Sequence, residues 1–307
     1  MVSAMNLMLC VSACLDDVKS SSRSVSGGLL TRISCRIPIL ALICRWTVER
    51  RREPGDFILE IDGVGVYKNR LDEYKIARFN NKGYTEMPDE AFEASDVHTM
   101  NEIQMMHNGM KYLSEKISRF VIVEVINLKN NKLEFLPDSI VHLPFLSKLV
   151  LNLNSFSKFP EQLVKIESLE WLDLSNNQIS ELPEDIGKLI NLQDLWMNRN
   201  KLSKLPDSFV HLVRLEVLKL DRNDFTEFPE QLGSMRSLEK LFIGCNLIHR
   251  VKRSVARNMM NSKTLRHIEM SMGMMRRDTV KGDAEDGSDD MLGYEELIKV
   301  LGNKLIM

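Results

Sequence analysis

No Asn-x-Ser or Asn-x-Thr triplet occurs anywhere in the 307 residues, although asparagine is abundant. Cysteine is scarce too: the five are Cys10, Cys14, Cys35, Cys44 and Cys245, an odd number without the terminal clusters that staple secreted arrays. The two absences argue against a glycosylated, disulfide-framed ectodomain and predict a reducing, cytoplasmic compartment. Net charge is −2, so nothing in the global balance calls for nucleic acid or a strongly charged membrane. Long hydrophobic runs are missing. Ile37–Trp46 is too short to span a bilayer and contains Pro38. Met5–Leu15 is apolar enough for a signal core, but no basic residue precedes it and Asp16 ends it.

Catalytic frames are missing as well. There is no phosphate-cradling glycine loop, nucleophile elbow, HExxH or paired CxxC. The histidines are scattered; His142 and His211 share one repeat position and read as outer-surface residues. The acidic stretch Asp283–Asp290 does not make a calcium loop, because no aspartate starts a frame with Gly287 in its sixth place, and the twelfth place falls on Gly293. It reads as a solvated linker. The expectation is a protein that is not an enzyme and carries neither cofactor nor metal.

What is present is a period. Asn108, Asn131, Asn154, Asn177, Asn200, Asn223 and Asn246 recur every 23 residues. Each sits in an apolar frame of the form L-x-x-L-x-L-x-x-N-x-L: Asn177 follows Leu169, Leu172 and Leu174 and precedes Ile179 and Leu182. This is the signature of a leucine-rich repeat solenoid, an α/β architecture with a curved parallel sheet on the concave face and short helical or extended segments on the convex face. A side-chain amide carries both donors and acceptors, so it can satisfy the backbone groups exposed where the chain turns off the strand. The asparagines therefore form a structural ladder. A lone repeat cannot offset its own chain entropy, and stability should be roughly nearest-neighbour.

A second period follows the first. Pro137, Pro160, Pro183, Pro206 and Pro229 each stand six places after an asparagine, with Asp138, Glu161, Glu184, Asp207 and Glu230 next. Proline fixes φ, and an acid just after it suits the start of a short helical turn. Ser114 and Lys252 replace proline at the two ends, where irregular repeats are needed as caps. Upstream, Phe79, Tyr84, Met87 and Pro88 keep the repeat offsets although Lys82 replaces the asparagine, and Leu265, Ile268 and Met270 mark a final strand.

The expected organisation is a disordered leader over 1–53, a strand and N-terminal cap with a degenerate repeat over 54–104, the array over 105–258, a C-terminal cap over 259–280, and an acidic linker with an amphipathic helix over 281–307. The helix is predicted over Tyr294–Ile306 from Leu297, Val300, Leu301 and Leu305. Pro54–Gly63 resembles a strand–turn fragment of a PDZ domain and reads as a strand leading into the cap.

The LPDSI, FPEQL and LPEDI segments resemble those of animal intracellular leucine-rich repeat proteins of the Shoc-2 and Scribble type. Ser168–Asp173 (SLEWLD) and Asn191–Trp196 (NLQDLW) are most similar to the branch of leucine-rich repeat-containing proteins 39 and 2. The resemblance implies an intracellular scaffold or adaptor. Its Shoc-2 side implies a role in signal transduction, and its protein 39 side a myosin-filament or cytoskeletal partner. A regulatory or substrate-recognition subunit of a phosphatase or ubiquitin ligase is the alternative.

Alternation along each strand locates the partner face. One outward column reads Val125, Lys148, Trp171, Asp194, Val217 and Lys240; the other reads Asn127, Val150, Asp173, Trp196, Lys219 and Phe242. Arg199, Asp221 and Arg222 lie just beyond the strands. Two neighbouring solvent-displayed tryptophans ringed by arginine and acids have the composition of a protein-binding hot spot. The predicted partner site is Trp171, Asp173, Asp194, Trp196, Arg199, Val217, Lys219, Asp221, Arg222, Lys240 and Phe242. Glu124, Glu170, Glu216 and Glu239 at the strand starts suit a basic partner segment or form a solvated edge. The chain is expected to be monomeric on its own, with a protein as partner, no nucleic acid and no transmembrane segment.

Overall fold

A computed structural model describes residues 75–88, 90–93, 97–248 and 250–270, together with short flanking strands. Met5–Leu15, Ile37–Trp46, Asp283–Asp290 and residues 294–303 of the expected helix lie outside the described residues.

Among the described residues, ten strands form one parallel sheet. Its first eight in chain order are Ile76–Arg78 (β5), Glu102–Gln104 (β6), Val125–Asn127 (β7), Lys148–Val150 (β8), Trp171–Asp173 (β9), Asp194–Trp196 (β10), Val217–Lys219 (β11) and Lys240–Phe242 (β12). His267–Glu269 (β14) and Leu305–Ile306 (β16) complete it. A separate antiparallel sheet upstream joins Arg32–Ser34 (β1), Thr47–Arg50 (β2), Phe57–Ile61 (β3) and Val64–Lys68 (β4). Phe57–Ile61 is thus a strand, paired within that antiparallel sheet rather than with β5. Val251–Lys252 (β13) pairs with Met291–Leu292 (β15).

The central residue of each repeat strand points into the core: Ile103, Ile126, Leu149, Leu172, Leu195, Leu218, Leu241 and Ile268 are fully buried. The residues on either side face the concave surface, as the period of two requires. Leu128, Leu151, Leu174, Met197 and Leu220 follow and are buried as well, so every repeat contributes to one continuous core.

The ladder explains how the chain leaves the strand. Asn200 Nδ2 donates to Leu174 O at 2.9 Å in the preceding repeat and to Met197 O at 3.0 Å in its own, and its Oδ1 accepts from Ile179 N at 3.0 Å. Asn131, Asn154, Asn177 and Asn223 repeat the pattern, each taking an amide and giving to two carbonyls. Asn246 holds the same carbonyl pair at the downstream end. Asn108 does so at the upstream end, where its Oδ1 accepts from Lys82 N and Tyr84 N of the degenerate repeat. The ladder rungs are therefore side chain to backbone. They weld each repeat to the one before it.

The residue before each ladder asparagine is left-handed: His107, Asn130, Leu153, Asn176, Arg199, Arg222 and Cys245 all have φ between 54° and 57°. None is glycine, and only the two asparagines and His107 are residue types enriched in this region. The bonds on either side impose it.

On the convex side each proline caps a 3-10 turn: Asp138–His142, Glu161–Lys165, Glu184–Lys188, Asp207–His211 and Glu230–Ser234. His142 and His211 end their turns exposed. The turns pack tightly: a Cβ on Gly187 would lie 2.5 Å from Ser208 O of the next turn. At the ends, Ser114 caps the first such turn through Lys116 N at 3.2 Å, and Lys252 precedes a helix, Arg253–Asn261, in place of a 3-10 turn.

The C-terminus departs from expectation. Leu305–Ile306 is a strand parallel to β14, where the spacing of apolar residues predicts helix. The free edge of β14 offers backbone groups that only a strand can pair. Lys304 Nζ adds bonds to Met259 O at 3.0 Å and Ser262 O at 2.6 Å, neutralising the carbonyl end of the Arg253–Asn261 helix.

Candidate protein-binding face

In the parallel register, Trp171 of β9 faces Asp194 of β10, and Trp196 of β10 faces Asp173 of β9. The two indoles meet diagonally across these strands, ring centroids 4.9 Å apart and planes at 61°, an edge-to-face contact. Lys148 on β8 places Nζ 4.1 Å from the centre of the Trp171 ring. Lys219 on β11 places Nζ 3.6 Å from Trp196 and 5.3 Å from Phe242 of β12. The His267 ring of β14 lies 5.1 Å from that of Phe242, tilted at 41°. A row in the order Lys148, Trp171, Trp196, Lys219, Phe242, His267 thus crosses six strands of the concave sheet.

The rings are half-buried, not freely displayed as the strand pattern suggests. Lysine ammonium groups cover one face of each, and the edge of one ring shields the face of the other. Trp196 Nε1 is sealed from solvent without a hydrogen bond of ordinary geometry. Neither indole belongs to the hydrophobic core.

Three carboxylates lie among the rings. Asp173, 3% exposed, is buried although its column faces outward, and it accepts from Ser175 N at 2.9 Å. The reason is its neighbours: Val150 on one strand and Trp196 on the other flank it in register. Burial pushes the Asp173 carboxyl above the usual range, opposed by the Ser175 bonds and by Lys219. Asp194 and Asp221 are raised for the same cause, with Lys219 again pulling each down. Lys219 therefore sits at the electrical centre of the patch, over two rings and beside three desolvated acids. Asp173 acts from beneath the surface and is not available for direct contact.

The remaining predicted residues divide by place. Val217 is half-buried between Asp194 and Lys240 in register, and Lys240 is exposed. Arg199 and Arg222 are exposed on successive left-handed turns at the downstream edge of the sheet. Glu170 and Glu216 are exposed at the upstream edge. The predicted site lacks two members of the row. Lys148 stands in the outward column one 23-residue step before Trp171, so the period already places it beside the ring although the predicted site does not include it. His267 falls four residues later than a 23-residue step from Lys240 would place it, because the Arg253–Asn261 helix lengthens that repeat.

Among the described residues, no group of three or more histidine, cysteine, aspartate or glutamate side chains could hold a metal ion. Among the same residues, no helix is long and apolar enough to cross a membrane.

Residues 161–286 match the family described as a leucine-rich repeat region, and residues 123–179 match the leucine rich repeat family. The chain is similar to a solved leucine-rich repeat protein of Leptospira interrogans, with 25% identity and a TM-score of 0.55 over 62% of this chain and 48% of that one. It is also similar to the ectodomain of the Arabidopsis thaliana membrane receptor kinase GASSHO1/SCHENGEN3, solved in complex with Casparian strip integrity factor 2. There the identity is 19% and the TM-score 0.51, over 60% of this chain and 22% of that one. An internalin of Listeria monocytogenes gives 18% identity and a TM-score of 0.50 over 58% of this chain and 50% of that one. The last two likenesses show the fold alone. The chain spans about half the length of the first of these relatives and less than a quarter of the second. No curated protein matches it. Repeat period, parallel sheet, asparagine ladder and family matches agree on the fold, a leucine-rich repeat solenoid.

Proposed function

We propose that the chain is a non-enzymatic adaptor that binds a protein partner through the concave face of strands β8 to β12. The carrying observation is the Trp171–Trp196 pair at 4.9 Å, bracketed by Lys148 and Lys219. Interlocked rings lose little conformational freedom on binding, so their contact area converts efficiently into affinity. Leucine-rich repeat proteins commonly mediate protein–protein contacts, which supports the reading at the level of the fold. The resemblance of the proline-led segments to Shoc-2 and Scribble-type repeats supports an intracellular, cytoplasmic signalling scaffold. The likeness of SLEWLD and NLQDLW to the protein 39 branch supports a cytoskeletal, myosin-associated partner within that same role.

The test is the double substitution Trp171→Ala with Trp196→Ala. Hot-spot tryptophans contribute about 2 kcal/mol or more each, so affinity for the principal partner co-purified from native cells should fall by about a thousandfold. Far-ultraviolet circular dichroism should be unchanged, since neither ring is part of the core. Partner retention at wild-type strength would place the interface elsewhere.

A further inference from the structure

Two exposed acids and two exposed arginines stand on opposite edges of the sheet around the tryptophan pair, with the half-buried Asp221 beside Arg222 and the lysines over the rings between them. Glu170 and Glu216 stand exposed at the upstream edge, immediately before β9 and β11, and Arg199 and Arg222 stand exposed at the downstream edge, three residues past the ends of β10 and β11. The rings lie between the two edges. We propose that this face takes an amphipathic α-helix, laid across the strands, with an apolar stripe over the indoles, an acidic flank toward Arg199 and Arg222, and a basic flank toward Glu170 and Glu216. The proposal rests on the concave-face reading above and names the chemistry of its partner.

Three physical points favour a helix over an extended segment. The strands from β6 to β14 are paired on both sides, so the face offers an extended chain no row of free backbone groups. A helix satisfies its own backbone. The helical pitch of about 5.4 Å lies close to the spacing of about 4.8 Å between strands, so successive turns fall on successive repeats. Acids at i and i+4 then meet Arg199 and Arg222, which occupy the same place in adjacent repeats. The trough also has the right width: Glu216 to Arg222 spans at most about 20 Å, and a helix with its side chains measures roughly 10–12 Å. Lys148 and Lys219 already cover the ring faces, so an aliphatic stripe pressing on the indole edges and lysine stems suits the centre better than a further cation.

The test uses lactam-stapled sixteen-residue helices with one leucine stripe. One carries glutamates on one flank and lysines on the other; two controls carry glutamates on both flanks or lysines on both. Exchanging the flanks of the mixed peptide would only reverse its direction on the sheet, so single-sign peptides are the informative controls. By fluorescence anisotropy at low salt the mixed peptide should bind about tenfold tighter than either control, the effect of a few exposed charge pairs. Arg199→Glu with Arg222→Glu makes both edges acidic and should transfer the preference to the all-lysine peptide. Equal binding of the three peptides, no binding by any, an unchanged preference in the variant, or equal binding of an unstapled proline-interrupted mixed peptide overturns the proposal. Were the charge reversal silent while Trp171→Ala with Trp196→Ala still released the native partner, the helix would be wrong and the concave-face reading would stand.

Discussion

The two ends of each repeat strand obey different rules within one chain. Downstream, the ladder position is asparagine seven times in succession, and the residue before it is left-handed every time. Across the strand face, the first outward position changes at nearly every step, from Val125 to Lys148, Trp171, Asp194, Val217 and Lys240. The ladder amide has three backbone partners in fixed places, and no other side chain supplies two donors and an acceptor in that geometry. The strand face has only lateral neighbours and open space. Repetition marks what the fold requires, and variation marks what it leaves free for a partner. The tryptophan pair stands out because it lies on the free side and is nevertheless locked in place.

The largest effect that tests this contrast is Asn200→Leu. It leaves Ile179 N without its side-chain partner in a buried setting and removes one of the two ladder bonds to Leu174 O and to Met197 O, which keep those from Asn177 and Asn223. The cost should be about 3 kcal/mol or more, read by urea unfolding. Trp196→Ala, on the strand of the same repeat, removes a half-buried ring with an edge contact and one cation–π pair, and should cost about 1–2 kcal/mol. If the tryptophan change proves the more damaging of the two, the division between structural and free sides fails.

A smaller effect concerns the left-handed row. Leu153, 40% exposed with φ at 57°, stands between Asn130 and Asn176 in the same place of the neighbouring repeats. Leucine is strained there and asparagine tolerates the conformation. Leu153→Asn should stabilise the array by roughly 0.5 kcal/mol, less whatever apolar contact the leucine gives up. A clear loss would mean that Leu153 packs more than its exposure indicates.

The sequence made the periodic part of this molecule legible because periodic constraints act through residue type. Asparagine for the turn, proline for the 3-10 cap and leucine for the inward strand position each leave a direct trace, and counting from them yields the register later seen between β7 and β12. Properties set by neighbours leave none. The left-handed turns carry histidine, leucine, arginine and cysteine as readily as asparagine, since flanking bonds dictate φ. The strand at Leu305–Ile306 answers a distant free edge, and His267 joins the aromatic row only because a helix shifts the count. Asp173 reads as a surface acid by alternation, yet Val150 and Trp196 close over it.

That last case supplies the finest test. The carboxyls of Asp173, Asp194 and Asp221 are all raised by burial in the fold, so the folded state holds their protons more tightly than the unfolded chain does. Their contribution to stability is therefore fully present below the unfolded carboxylate range, near pH 4, and is lost as pH rises through the raised folded values. Asp173→Asn removes one of the three while keeping an oxygen for Ser175 N. The thermal midpoint at neutral pH should rise by at most about 2 °C, with little change near pH 4, so that the slope between the two becomes shallower. A lower midpoint at neutral pH would show that the ionised carboxylate, through Lys219 and the Ser175 bond, contributes more than its burial costs. Asp173 would then belong with the ladder among the groups the fold requires, despite standing in a column that everywhere else is left free.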